Sequence, residues 1–229
     1  MIRYLLNKFL LLRQVYFKKI NKNFYSQFGE DKVLSELIPA NFNNGFYVDV
    51  GCFHPKKYSN TYMLFKRGWK GINIDMEKNK IETFDLARPY DYNFLGAISN
   101  KVEKVKIYRN QKFGVSSTIN ENFIKKKDII DEGFILTTTL NVVLENSPFK
   151  GKKIDLLNID TEGNDSKVLK SLNFDIYNPS IIIIETHLKT IDDITNSDIY
   201  LFLFKRKYIL KSWTVYSLIF IKERYYENN

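Results

Sequence analysis

Phe46-Tyr47-Val48-Asp49-Val50-Gly51 and, further on, Gly71-Ile72-Asn73-Ile74-Asp75 decide how the chain folds. Each is a short apolar run closed by a glycine or a carboxylate, the pattern of a strand buried on both faces. Between them residues 58–67 carry helical spacing and stop at Gly68. Working outward, residues 77–87 read as a helix, 94–99 as a third strand and 154–159 as a fourth. A helix over 165–172 leads to the almost purely β-branched run 180–184, a central strand. A helix over 191–205 precedes two strands, 208–213 and 215–221, too close together for a helical crossover and therefore antiparallel. Strands separated by helices predict an α/β fold: a mostly parallel sheet with right-handed crossovers and helices on both faces. Residues 102–140 break the rhythm. Val105 to Tyr108 alternates like an exposed strand and Ser116-Ser117-Thr118 reads as a polar loop, so this stretch is an insertion. A short helix over 139–146, stopped by Pro148, restores the pattern.

Composition sets the outer limits. The 229 residues, 44% of them hydrophobic with 18 Phe and 15 Tyr, fit one domain with a large core and exclude a disordered chain. A formal charge of +9 favours an acidic partner: a phosphorylated sugar, nucleic acid or anionic lipid. The single cysteine, Cys52, excludes an internal disulfide framework and a cysteine-rich zinc site, and makes a reducing, cytoplasmic setting the expectation. Near the start Arg3, Lys8 and Arg13 interrupt every apolar run, so residues 1–22 fit neither a secretory signal nor a membrane span. Ile2, Leu5, Leu6, Phe9, Leu12 and Tyr16 instead fall at helical spacing. Residues 1–24 are thus expected to form a basic amphipathic helix, packed on its own domain or resting on an inner membrane face, ahead of one domain over 25–229.

In an open α/β sheet, ligands gather beyond the carboxyl ends of the strands. Those ends hold Asp49 and Gly51, Asp75, Ala97 to Ser99, Asp160 to Gly163, and Glu185 to His187. The turn Gly51-Cys52-Phe53-His54-Pro55 is not a Gly-x-Gly-x-x-Gly loop, and its proline offers no amide, which weighs against a bound pyrophosphate. Asp75 is placed to accept both hydroxyls of a ribose, or else to cap the following helix. A nucleoside without a diphosphate is the economical ligand. S-adenosylmethionine is one, and its sulfonium suits the carboxylates.

Several blocks resemble the FkbM-type methyltransferases. They are Ser26-Gln27-Phe28-Gly29-Glu30-Asp31, then Gly45 to Pro55 with Ser59-Asn60-Thr61, then Gly68 to Asp75, and finally Asn158-Ile159-Asp160-Thr161-Glu162-Gly163. The resemblance runs in consistent order from about Tyr25 to His187. It implies a class I methyltransferase fold, with a seven-stranded sheet whose last strand is antiparallel, S-adenosylmethionine as methyl donor, and a hydroxyl acceptor, often on a sugar or polyketide. Carried over block by block, it implies Asp49 and Gly51 at the methionine end of the donor and Asp75 at the ribose. It likewise implies that Gln27 and Gly29 belong to a segment folded back over the cofactor and that Asp91, Ala97 and Ile98 hold the adenine. Met76 after Asp75 and Cys52 after Gly51 depart from the usual pattern without removing a polar contact.

For proton removal His187 is the preferred base, oriented by Glu185 two residues earlier; the alternative is a solvated loop histidine. Asp160 and Glu162 are candidates for binding substrate hydroxyls or the donor's ammonium. With Glu185 and His187 they are also a candidate Mg²⁺ or Mn²⁺ site. His54, Ser116 and Ser117 are candidate acceptor contacts, although His54 also reads as packing and the serines as turn residues. The expected function is O-methylation of a sugar, nucleotide-linked sugar or glycan precursor. Two rivals stand beside it: an RNA methyltransferase using the basic runs 125–127 and 205–207, weakened by the lack of a stacking motif, and an inactive membrane-associated scaffold.

Overall fold

The computed structural model describes residues 6, 9, 24–110, 116–123, 129 and 131–223. The N-terminal helix expected over 1–24 and the lysines at 125–127 lie outside the described residues, apart from positions 6, 9 and 24. Among the described residues no helix is long and apolar enough to cross a membrane.

The two deciding runs form β1 (Phe46–Val50) and β2 (Lys70–Asp75), paired parallel with Val48 opposite Ile72. Around them stand β3 (Tyr92–Leu95), β8 (Leu156–Ile159), β9 (Ile181–Glu185), β10 (Tyr208–Thr214) and β11 (Ser217–Lys222). The spatial order is β10-β11-β9-β8-β1-β2-β3. Only β11 runs against its neighbours, because the turn after β10 has just two residues between Thr214 and Ser217. This is the expected seven-stranded sheet with its last strand antiparallel.

Alternation along the strands sends residues to two cores. Val48, Val50, Ile72, Ile74, Leu157, Ile159, Ile182 and Ile184 share one. There they meet Leu140 and Val143 of α4 (Leu140–Glu145), Val168 of α5 (Asp165–Lys170), Ile194 of α6 (Ile191–Thr195) and Leu203 of α7 (Asp198–Phe204). Tyr47, Leu156, Ile181, Ile183, Ile219 and Ile221 share the other, with Trp69, Leu34 of α1 (Glu30–Leu37) and Leu64 of α2 (Tyr62–Lys66). The remaining helix, α3 (Lys78–Ala87), joins β2 to β3.

Four sequence expectations need correction. The helix over 191–205 is two helices, since Thr190 and Ser197 each cap a new start, accepting from Asp193 N and Tyr200 N. The helix over 58–67 shrinks to α2, because Ser59 and Thr61 serve a buried polar network described below and Tyr58 has φ 54°. The strand over 94–99 is divided at Gly96: β3 stays in the large sheet, while β4 (Ala97–Ile98) pairs with β7 (Asp131–Thr138) in a second sheet. Ser116–Thr118 is a strand, β6, lying antiparallel along β5 (Lys104–Asn110). The side chains of Ser117 and Thr118 belong to tertiary contacts rather than to a turn. Ser117 Oγ donates to Glu77 Oε1 at 2.7 Å, and Arg109 Nε on β5 reaches the same oxygen at 2.7 Å. The insertion is therefore latched to the end of β2.

On the second face the sheet centre is polar. Asp49 stands in register with Asn73 and Asn158, and its carboxylate accepts Asn158 Nδ2 and Thr61 Oγ1, both at 2.8 Å. Fully buried Arg88, at the end of α3, donates to Thr61 Oγ1 at 2.9 Å, Tyr47 OH at 3.1 Å, Ser59 Oγ at 3.1 Å and the Pro55 carbonyl. Asp91 accepts from Tyr47 OH, from Gly71 N at 2.9 Å and from Asn73 Nδ2 at 3.0 Å.

Replacing Arg88 with Met, which fills space but donates nothing, is expected to cost about 3–5 kcal/mol in urea unfolding. A loss under about 1 kcal/mol would show that the network carries no stability. Glu77→Ala should speed amide hydrogen exchange in β5 and β6 several-fold while leaving β1 and β8 unchanged; equal protection in both proteins would refute the latch.

Candidate functional site

At the carboxyl ends of β1, β2, β8 and β9 lies a cavity of about 340 Å³, within the range of small-molecule sites. Its floor depends on two tight turns. Gly51, at φ 84°, passes so close to the end of β8 that a Cβ there would sit 1.6 Å from the Asp160 carbonyl oxygen. Gly51 N donates to Ile74 O at 2.8 Å and Asp160 N to Val50 O at 2.9 Å, so three strand ends converge on one point. Beyond it the chain turns through Glu162 at φ 54° and Gly163 at φ 90°. Asp165 pins this turn, its Oδ1 accepting Thr161 N at 2.7 Å and its Oδ2 Gly163 N at 3.1 Å. Thr118 Oγ1 of the insertion donates to Glu162 O at 2.7 Å, which draws β6 across the mouth.

Of the residues named from sequence, Gln27, Gly51, Asp75, Ala97, Ile98, Ser117, Asp160, Glu162, Glu185 and His187 all line the cavity. Others do not. Asp49 turns into the network beneath β1, because strand alternation gives its side chain the same face as Tyr47. Asp91 is held there too, by Tyr47, Gly71 and Asn73. Gly29 instead caps α1, with φ 91°, and His54 Nδ1 accepts Lys56 N and Lys57 N at 3.0 Å, a turn-forming role. Ser116 lies in β6.

Asp75 takes the helix-start role weighed for it and also lines the cavity. Its Oδ1 accepts Glu77 N at 2.7 Å, at the start of α3, and its Oδ2 accepts Lys80 Nζ at 3.0 Å. A carboxylate has about four acceptor sites, so hydroxyls of a ligand can still be received. Lys80 was not foreseen, since nothing in the spacing of α3 separates it from a solvated lysine. Asn60, Phe28, Tyr58 and Tyr216 also line the cavity unannounced.

Opposite Asp75 the acids crowd. Burial raises Glu185, and the charges of Asp160, Asp165 and Glu162 raise it further. Asp160 and Glu162 are likewise raised, by burial first and then by carboxylate repulsion. Asp160 is exposed where it lines the cavity. His187 Nε2 lies 3.1 Å from Glu185 Oε1, and its ring packs between Phe123 at 4.9 Å and Tyr216 at 5.2 Å. One ligand atom each from Glu162, Glu185 and His187 lie within 4.8 Å of one another. A Glu185–Asp160 side-chain hydrogen bond adds to the rise of Glu185 and opposes that of Asp160.

Such a site is suited to a cation. A nucleoside carrying positive charge fits: Asp75 for its hydroxyls, Ala97 and Ile98 as an apolar wall, and carboxylates that ionise more readily beside a positive group.

Known proteins share the fold. The crystal structure of methyltransferase FkbM from Methylobacillus flagellatus KT superposes with a TM-score of 0.51 at 14% identity, over 82% of this chain and 45% of that one. This chain therefore spans less than half of that neighbour's length. A TehB-like SAM-dependent methyltransferase from Corynebacterium glutamicum gives a TM-score of 0.43 at 12% identity, over 96% and 97% of the two chains. No curated protein matches the chain. The model of the methyltransferase FkbM domain matches residues 40–210, the stretch that carries every strand end described above except the Gln27 segment and the last hairpin. The chain belongs to the FkbM methyltransferase family.

Proposed function

We propose that the protein transfers a methyl group from S-adenosylmethionine to a hydroxyl of a sugar or glycan precursor. The observation that carries this reading is the His187–Glu185 pair, 3.1 Å apart, across an acid-lined cavity from Asp75. The family implies the donor, which when bound supplies a methyl group on a positively charged sulfur.

The chain's own residues then have three tasks. Asp75, set by Glu77 and Lys80, orients ribose hydroxyls, and positioning of this kind is worth roughly 7–11 kcal/mol in a well-aligned transfer. Asp160 and Glu162 attract the donor's positive end. His187, with Nε2–H directed at Glu185, keeps Nδ1 as the nitrogen that takes the acceptor proton, a contribution of about 10²–10⁴-fold.

A divalent cation is a second reading, favoured by the convergence of Glu162, Glu185 and His187 within 4.8 Å. Two carboxylates and one imidazole suit Mg²⁺ or Mn²⁺. Here His187 would be a ligand rather than a base. The RNA reading draws no support from the basic run at 205–207, where Arg206 lies 3.7 Å over the Phe202 ring as a packing element.

Calorimetry should detect S-adenosylmethionine binding, lost by at least about tenfold in Asp75→Ala; an inactive scaffold would show no heat. His187→Ala should lower turnover by about 10²-fold or more with donor affinity retained. Full turnover in both His187→Ala and Glu162→Ala would refute the catalytic assignment. Unchanged turnover after exhaustive chelation, with no metal in the purified protein, would eliminate the cation.

A further inference from the structure

Apart from His187, one wall of the cavity has no task in the transfer just described. Phe28, Tyr216 and His187 all line it, with ring centroids 5.3 Å apart for the first pair and 5.2 Å for the second. Phe28 and Tyr216 are 39% and 44% exposed, so their rings present apolar surface to the cavity rather than to the core. The wall is built from segments far apart in the chain and is held by buried Glu30. Glu30 Oε2 accepts Phe28 N at 2.9 Å, while its Oε1 accepts Ser217 Oγ at 3.0 Å and Thr214 Oγ1 at 3.2 Å. Thr186 N donates to Tyr216 O at 2.7 Å, fixing the hairpin turn to the end of β9. Two half-exposed rings secured in this way are a seat, not incidental surface.

The charges around the seat select what sits on it. Glu30, Asp160, Glu162 and Glu185 line the cavity, and the one cation among the described lining residues, Lys80, is paired with Asp75 at 3.0 Å. A phosphate on the acceptor would meet carboxylates without a partner. A ring with an apolar C–H face and hydroxyls around its edge satisfies both features: the face lies on the aromatic rings and the hydroxyls donate to the carboxylates.

Resting on the methyltransferase reading, we infer that Tyr216 and Phe28 seat the acceptor and that this acceptor is a neutral pyranose, not a sugar carrying a phosphate or nucleoside diphosphate. The seat belongs to this chain's N-terminal segment and last hairpin, both outside the stretch matched by the family model.

The test uses saturation-transfer NMR on the full chain with S-adenosylhomocysteine present. The probes are neutral methyl glycosides of glucose, galactose, mannose and rhamnose, set against UDP-glucose, UDP-galactose and dTDP-rhamnose. At least one neutral glycoside should bind more tightly than its nucleotide-linked counterpart. Tyr216→Ala should weaken it by about tenfold, and Tyr216→Phe, which keeps the ring, by no more than about twofold. Donor affinity by calorimetry should be unchanged in both variants. Binding by none of the neutral glycosides, tighter binding of the nucleotide-linked forms, or wild-type affinity in Tyr216→Ala would overturn the inference. If the wild-type chain fails to bind S-adenosylmethionine, the methyltransferase reading falls first, so the two failures are told apart.

Discussion

A guanidinium with no solvent-exposed surface is the constraint on which the site depends. Removing a cation from water costs several kcal/mol even after relaxation, so Arg88 is tolerable only where its donors are met. Its two terminal nitrogens are met by Tyr47 on β1, Ser59 and Thr61 before α2, and the Pro55 carbonyl, with Asp49 and Asp91 balancing the charge, while Nε is buried without a partner among the described residues. These partners come from both sides of Gly51. The turn after β1 is thereby tied to the end of α3, and the position of the cavity floor follows from a network whose residues do not line the cavity.

The opposite wall is assembled on another plan. Gln27 and Phe28, the strand β6, His187 and Tyr216 arrive from four distant parts of the chain. Polar latches hold them: Glu30 to the last hairpin, Glu77 to Ser117 and Arg109, Thr118 to the carbonyl of Glu162. The floor is core, buried and continuous with the central strands. The wall is a set of loops hung on that core, the usual division between scaffold and recognition surface.

The same division explains what the sequence disclosed. Short apolar runs closed by a glycine or a carboxylate marked β1, β2, β8 and β9, and strand ends led directly to Gly51, Asp75, Asp160, Glu162, Glu185 and His187. Asp49 was misjudged because a strand end has two faces, and its register with Asn73 and Asn158 turned the carboxylate inward. Asp91 was misjudged for a related reason, since the donors it answers, Tyr47 and Gly71, lie far from it in the chain. Ser117 looked like a turn residue because the strand it pairs with, β5, precedes it and supplies the ladder. Arg88 and Tyr216 carry no local mark at all. Their roles come from side chains brought together by topology, which a linear pattern does not record.

The net charge shows how a correct sum can mislead about a partner. A formal +9 argued for an acidic ligand, yet the cavity itself gathers carboxylates whose proton affinities are raised because each loses water and faces the others. What enters such a site is governed by the field inside it, where low dielectric strengthens every charge, and not by lysines spread over the exterior. A positive group relieves both the desolvation and the repulsion of these acids; an anion aggravates both. The basic surface and the acidic cavity are therefore separate facts, and only the second bears on the chemistry at the strand ends.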